Sequence, residues 1–185
     1  MAQIKRIGFG QVEPNHLSAQ KTGQIYAQLP AASLGSNNKL VPIAQLEQGQ
    51  FLKYNYAEGF AGLSGSGEWM LVYCEEKLYD TRKQMHKDFA IKASDFSDGF
   101  IYPRLLKTNV GDIYTTNTFG ANTSDSAEVA GLSLSNKDFL EVDAATGFLK
   151  KAASLDAASA PVFQVVNADF TMPDGQPGVK IQRVK

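Results

Sequence analysis

Apolar residues in this chain come in short alternating stretches and brief continuous runs, and seldom at helical spacing. From Phe51, the sequence FLKYNYAEGF places Leu52, Tyr54 and Tyr56 at every second position; from Phe139, FLEVDAATGF does the same with Leu140, Val142 and Ala144. Side chains of an extended backbone point alternately to its two faces, so this spacing predicts a half-buried strand in each place. Both strands run into a turn ending in Gly-Phe, at Gly59–Phe60 and Gly147–Phe148. Glycine there supplies the positive φ that closes a bulged turn, a conformation a β-carbon resists. Two hairpins are therefore expected, with Gly59 and Gly147 as turn residues and Phe60 and Phe148 as packing residues. After each hairpin comes a loop rich in small residues, AGLSGSGE or KKAASLDAASAP, and then an apolar run, WMLVYC from Trp69 or VFQVV from Val162. Both runs read as buried strands.

The hairpins belong to a longer repeat. An offset of 88 residues aligns Gly23, Ile25 and Tyr26 with Gly111, Ile113 and Tyr114, Val41 with Val129, and Leu46 with Leu134. It continues without a gap through Phe51, Leu52, Ala57, Gly59 and Phe60 against Phe139, Leu140, Ala145, Gly147 and Phe148. Self-similarity at a fixed spacing is the mark of a duplicated supersecondary unit. Short strands separated by Gly, Asn, Ser and Pro clusters make the chain mainly β. The repeat divides it into two related small β-barrel or β-sandwich-like modules, residues 23–77 and 101–185. Residues 78–100 form a connector in which Leu78, Met85 and Phe89 recur at helical intervals among charges of both signs, fitting a short helix or an extended charged link. Residues 1–22 show no sustained period and read as an N-terminal arm. Such an arm either stays disordered or orders by adding to a neighbour's sheet edge, with Ile4, Ile7 and Phe9 as its anchors; the alternative is a simple first strand of its own domain.

Composition narrows the chemistry. A net charge of −1, with 43% hydrophobic and 20% charged residues, gives no global bias toward nucleic acid or membrane. Cys74 is the one cysteine and His16 and His86 the two histidines, which excludes an internal disulfide and leaves too few soft ligands for structural zinc. No window approaches the roughly 18 apolar residues of a membrane span, and MAQIKRIGFGQVEPNHLSAQ lacks the apolar core of a secretion signal, so folding in the cytosol is expected.

Catalytic constellations are hard to assemble. GLSGSG has Ser66 where a nucleophile elbow needs its last glycine, and GFGQVEP, with Gly8 and Gly10, lacks the third glycine and helix of a dinucleotide site. Glu75, Glu76, Asp80, His86 and Asp88 form the best candidate metal or acid–base cluster, but Lys77, Arg82, Lys83, Lys87 and Lys92 interleave them and favour a salt-bridged surface. Asp95 and Asp98 in DFSDGF belong to a turn too short for a calcium loop, and Asn122 opens a glycosylation sequon relevant only to a secreted protein. Lys5 and Arg6, with Lys180, Arg183 and Lys185 in the tail, are the two hooks for nucleic acid; neither makes a broad basic face, so nucleic-acid binding is not expected. No enzyme, cofactor or metal site is expected.

The segments LEQGQFLKYN, GEWMLVYCEEKLYDTRKQMHKDFAIK and YPRLLKTNVGDIYTTN resemble a class of small β-rich proteins of tailed bacteriophages, the head decoration (cement) or auxiliary capsid proteins. The likeness covers roughly residues 38–120 and consists of strand and turn signatures. It implies a virion structural protein, made in the host cytoplasm, that binds the major capsid protein on the head surface as a homo-oligomer such as a trimer. Ile4, Lys5, Arg6, Ile7 and Phe9 would then be the capsid-contact arm, and Gly23, Gly59, Phe60, Gly111, Gly147 and Phe148 structural positions of the repeat. The alternative is a head-fibre, spike or tail component recognising a host surface glycan, with Tyr54, Tyr56 and Trp69 as a stacking platform.

Overall fold

A computed structural model describes residues 2–4, 9–10, 12, 28–73, 90–119, 132–156, 158–172 and 175–185, with residues 2–4 and 132 described by their backbone alone. In chain order the strands are β1 (Ala2–Ile4), β2 (Ala32–Leu34), β3 (Leu40–Pro42), β4 (Gln45–Glu47), β5 (Phe51–Asn55), β6 (Phe60–Gly62), β7 (Glu68–Val72) and β8 (Ala90–Lys92). They continue with β9 (Leu105–Leu106), β10 (Ile113–Thr116), β11 (Leu132–Leu134), β12 (Phe139–Val142), β13 (Leu149–Ala152), β14 (Val162–Thr171) and β15 (Pro177–Arg183). The fold is mainly β, and among the described residues the helical content is two single 3-10 turns, Tyr56–Glu58 and Ala93–Asp95.

Two larger sheets dominate, in the orders β6-β5-β7-β9 and β10-β15-β14-β12-β13, with three two-stranded pairs, β1-β11, β2-β3 and β4-β8. Among the described residues no sheet closes into a barrel. In both sheets the first strand of a hairpin (β5 or β12) is flanked by its hairpin partner (β6 or β13) and by the next strand in sequence (β7 or β14).

The local hydrogen bonds recur at the spacing of the sequence repeat. Gly59 N donates to Asn55 O at 2.9 Å, and Gly147 N to Asp143 O at 2.7 Å. Their φ angles are 74° and 75°. Parallel bridges join Ala31 to Ala61 and Phe119 to Leu149. The turn ahead of each hairpin is capped alike: Glu47 N donates to Gln50 Oε1 at 3.1 Å, and Ser135 N to Asp138 Oδ2 at 2.8 Å. The residues inside those turns, Gly49 and Lys137, both have positive φ, 84° and 75°.

Each sheet turns one face inward. Leu46, Leu52, Met70, Val72 and Leu105 pack with Ala31, Ile91 and Ile101. Leu134, Leu140, Phe163, Val165 and Ile181, largely their repeat counterparts, pack with Tyr114 and Phe119. This second core also receives the opposite face of the first sheet, Phe51, Trp69, Leu71 and Leu106. Thus β7 is apolar at four consecutive buried positions because both of its faces are covered, Trp69 and Leu71 on one and Met70 and Val72 on the other.

The second sheet differs. VFQVV is not buried on both faces: Phe163 and Val165 point inward, whereas Gln164 is half-buried and Val166 exposed. Its outer face is covered only near Phe139 and Val162, by Ala152, Leu155, Ala158 and Val184.

Part of the predicted connector is described. Of the connector 78–100, residues 78–89 lie outside the described residues; residues 90–92 are strand β8, paired with β4, and 93–95 a 3-10 turn. β9 falls beyond the connector in sequence but pairs with β7 in the first sheet. Strands of two or three residues are too short to leave an alternation that a sequence can reveal.

Candidate functional site

The two sheets meet at a cleft of about 510 Å³. The antiparallel register puts Lys53 of β5 opposite Trp69 of β7, with the ammonium 5.4 Å from the ring centroid. Across the cleft, β12 and β13 set Glu141 opposite Lys150, the turn after β12 adds Asp143, and the end of β15 adds Arg183. Ser159, Ala160 and Pro161 complete the wall.

These charges balance, and they are engaged within the chain. Lys150 Nζ lies 3.8 Å from Glu141 and 3.6 Å from Asp143. Glu141 also accepts the Ser159 backbone N–H at 2.9 Å, and Asp143 accepts Thr146 Oγ1–H at 3.0 Å. Lys53 donates to Gly65 O at 2.9 Å, and Glu68 pairs with Lys107 at 2.8 Å. Arg183 donates to the carbonyl oxygen of Thr108, to Thr108 Oγ1 at 2.8 Å, and through Nε to Lys185 O at 3.0 Å. The cleft is a seam of partly exposed ion pairs beside one indole, suited to holding two sheets together or to meeting a polar partner surface. Among the described residues no His or Cys lines it, and no group of three or more His, Cys, Asp and Glu is placed to hold a metal.

A second polar cluster is buried. Tyr114 OH donates to Asp112 Oδ2 at 3.0 Å, and the same oxygen accepts Asn109 N–H at 2.9 Å. Burial first, and then the Asp112 charge, push the Tyr114 phenol above its ordinary range, so it remains a proton donor to that carboxylate. Asp112 O accepts from Arg183 N, fixing the start of β10 to the end of β15.

The residues singled out in the sequence are dispersed. Ile4 lies in β1, paired in register with Leu132, and Phe9 is half-buried; Lys5, Arg6, Ile7 and Gly23 lie outside the described residues. Phe60 and Phe148 are buried, and Gly111 has φ 98° in the turn before β10. Tyr54, Tyr56 and Trp69 do not form one platform. Tyr54 and Tyr56 stack at 6.1 Å with Tyr56 70% exposed, whereas Trp69 sits in the second core beneath Lys53.

In GLSGSG, the buried Asn55 stitches the loop, donating to Ser64 O and accepting from Gly67 N, both at 2.8 Å. Asp98 accepts from Phe100 N and Tyr102 OH, which closes DFSDGF as a turn. The basic tail is folded in: Lys185 donates to Ala158 O, and Lys180 lies 5.2 Å over the Phe170 ring. Glu75, Glu76, Asp80, His86, Asp88, Asn122 and Gly8 lie outside the described residues. Gly10 N donates to the buried carboxylate of Glu47.

Sequence reasoning missed the cleft, although one signal pointed to it. The 88-residue offset aligns Lys53 with Glu141, so opposite charges stand at equivalent strand positions where the two sheets meet. Comparison with protein-family models, curated proteins and solved structures found no match to this chain. Among the described residues no helix is long and apolar enough to cross a membrane.

Proposed function

We propose that this chain is a non-enzymatic virion structural protein, built from two related β units, that binds the major capsid protein on a tailed-phage head and stabilises the shell. The resemblance of residues 38–120 to decoration proteins suggests the role. The observation that supports it is the engagement of the cleft's charged groups by partners in the same chain, which fits a body that binds through its surfaces. Exposed apolar side chains, Leu34 and Val41 on the β2–β3 hairpin together with Tyr56, Val110 and Val166, supply contacts for a partner surface. Many weak equivalent contacts on an icosahedral lattice add up through multivalency. The arm residues Ile4 to Phe9 contribute to those contacts in this reading.

Co-sedimentation with undecorated capsids tests it. Saturable binding that raises the temperature of capsid disruption is expected; no binding at a tenfold molar excess over capsid subunits overturns the reading. Tyr56, exposed and stacked on the half-buried Tyr54, favours a second reading, a fibre or tail component that recognises a glycan. Glycan-array binding that disappears in Tyr56→Ala would replace the first reading with this one.

A further inference from the structure

The repeat shows where a strand is missing. In the first half, β4 is covered by β8, with Leu46 opposite Ile91. β8 lies in the long connection between Val72 of β7 and Leu105 of β9, strands that pair with each other. In the second half the corresponding pair is Val165 and Ile181, joined by the tight β14–β15 hairpin, which leaves no room for a counterpart of β8. The counterpart of β4 is β11, since Leu134 aligns with Leu46 and both are fully buried. Its edge is covered instead by β1 from the other end of the chain, with Ala2 opposite Leu134, Gln3 opposite Ser133 and Ile4 opposite Leu132.

We propose that the β11 edge is a strand-acceptor site and that residues 2–4 of a second copy of this chain occupy it, so that copies link through exchanged N-terminal strands. An acceptor edge filled by a short strand remote in sequence has the layout that exchange requires. The donated strand makes the same main-chain hydrogen bonds within a chain or between chains, so exchange gains and loses no contacts. Only three residue pairs hold β1 among the described residues, and so short a strand opens locally far more often than the core. What favours the intrachain form is effective concentration, of millimolar order for a short tether. At about 100 µM the exchanged form is therefore roughly a tenth of the chains, and it grows where copies are crowded together.

The exchange can be trapped covalently in solution without any capsid, so its outcome is independent of the decoration reading. In a Cys74→Ser background, one full-length preparation carries Gln3→Cys and another Ser133→Cys, the two positions directly opposite in register. A third carries both substitutions in one chain. On slow oxidation the doubly substituted protein should form an intrachain disulfide and remain monomeric, verifying fold and register. The mixed single variants should accumulate a disulfide-linked heterodimer whose yield rises in proportion to protein concentration. That yield should exceed by at least fivefold the yield when the exposed Val166→Cys replaces Ser133→Cys. A crosslink confined to the doubly substituted chain, with the mixture no better than the Val166 control, overturns the exchange; no crosslink in the doubly substituted chain overturns the acceptor site itself.

Discussion

Gly59 and Gly147 stand at the same place in the repeat and have nearly the same backbone conformation, φ 74° and 75°. Their surroundings are opposite. A β-carbon on Gly59 would meet nothing within 4 Å, whereas one on Gly147 would overlap the carbonyl oxygen of Phe51 and crowd Leu63 and Gln50. The second turn is the landing place for the first sheet: Phe51 N donates to Gly147 O at 2.7 Å, and Gln50 Nε2 to Thr146 O at 2.7 Å. The difference teaches that the same backbone geometry can serve different ends, and that the use of each turn is decided by what packs against it.

The same comparison extends to the phenylalanines that open the two hairpins. β6 pairs with β5 only from Lys53 onward, so the Phe51 main chain is left to bond the other hairpin. β13 pairs with β12 back to Phe139, the counterpart of Phe51, and occupies that edge. The longer loop after β13 adds Leu155 and Ala158 beside Phe139 and Val162. Phe51 thus joins the halves, and Phe139 closes an end.

The largest expected effect breaks this asymmetry at the phenylalanines. Phe51 is 2% exposed, with its ring centroid 5.5 Å from that of Phe163, so Phe51→Ala should cost about 4 kcal/mol in denaturant unfolding. Phe139→Ala, at a half-buried position beside a small cluster, should cost about half as much; equal losses would mean that the second outer face is packed as tightly as the joint between the halves.

Next come the glycines. Gly59→Ala strains only its own backbone and should cost about 1 kcal/mol. Gly147→Ala must also push the Phe51 carbonyl away, and at least about 2 kcal/mol is expected by thermal or denaturant melting. A reversed order would remove the docking role assigned to the second turn.

The smallest effect separates the two capped turns by pH. Asp138 is held below the usual carboxylate range, first by its hydrogen bond from Lys151 and then by the Ser135 N–H. A lowered carboxyl pKa stabilises the native state at pH above the unfolded value near 4, and that contribution is lost as pH falls below it. The pair is partly exposed, with Asp138 at 22% and Lys151 at 45%, so solvent screening keeps the gain to less than about 1 kcal/mol. Asp138→Asn should flatten part of the stability loss between pH 5 and pH 3 measured by urea titration. Gln50, its uncharged counterpart, should leave that pH dependence unchanged when replaced by Ala.

The hairpins were legible in the sequence because alternation and Gly-Phe turns are local properties, visible in FLKYNYAEGF and FLEVDAATGF. The joint between the halves was not. Whether Phe51 or Phe139 receives a partner depends on where a neighbouring strand ends, and nothing in the residues themselves marks it. β8 and β9 were hidden because each is a very short strand whose pairing partner lies dozens of residues earlier, and β8 falls in a segment read as a connector. The cleft was hidden for a related reason: Lys53, Glu141, Lys150 and Arg183 are ordinary surface charges until the sheets bring them together.

The shared second core also governs what happens if the chain is divided. A fragment ending just after Leu106 would carry Phe51, Trp69, Leu71 and Leu106 on an uncovered face, and a fragment beginning at Lys107 would lack the plug that these side chains provide. Each piece would then be adhesive toward the other, so the two halves of this protein are the natural starting parts for a self-assembling split tag.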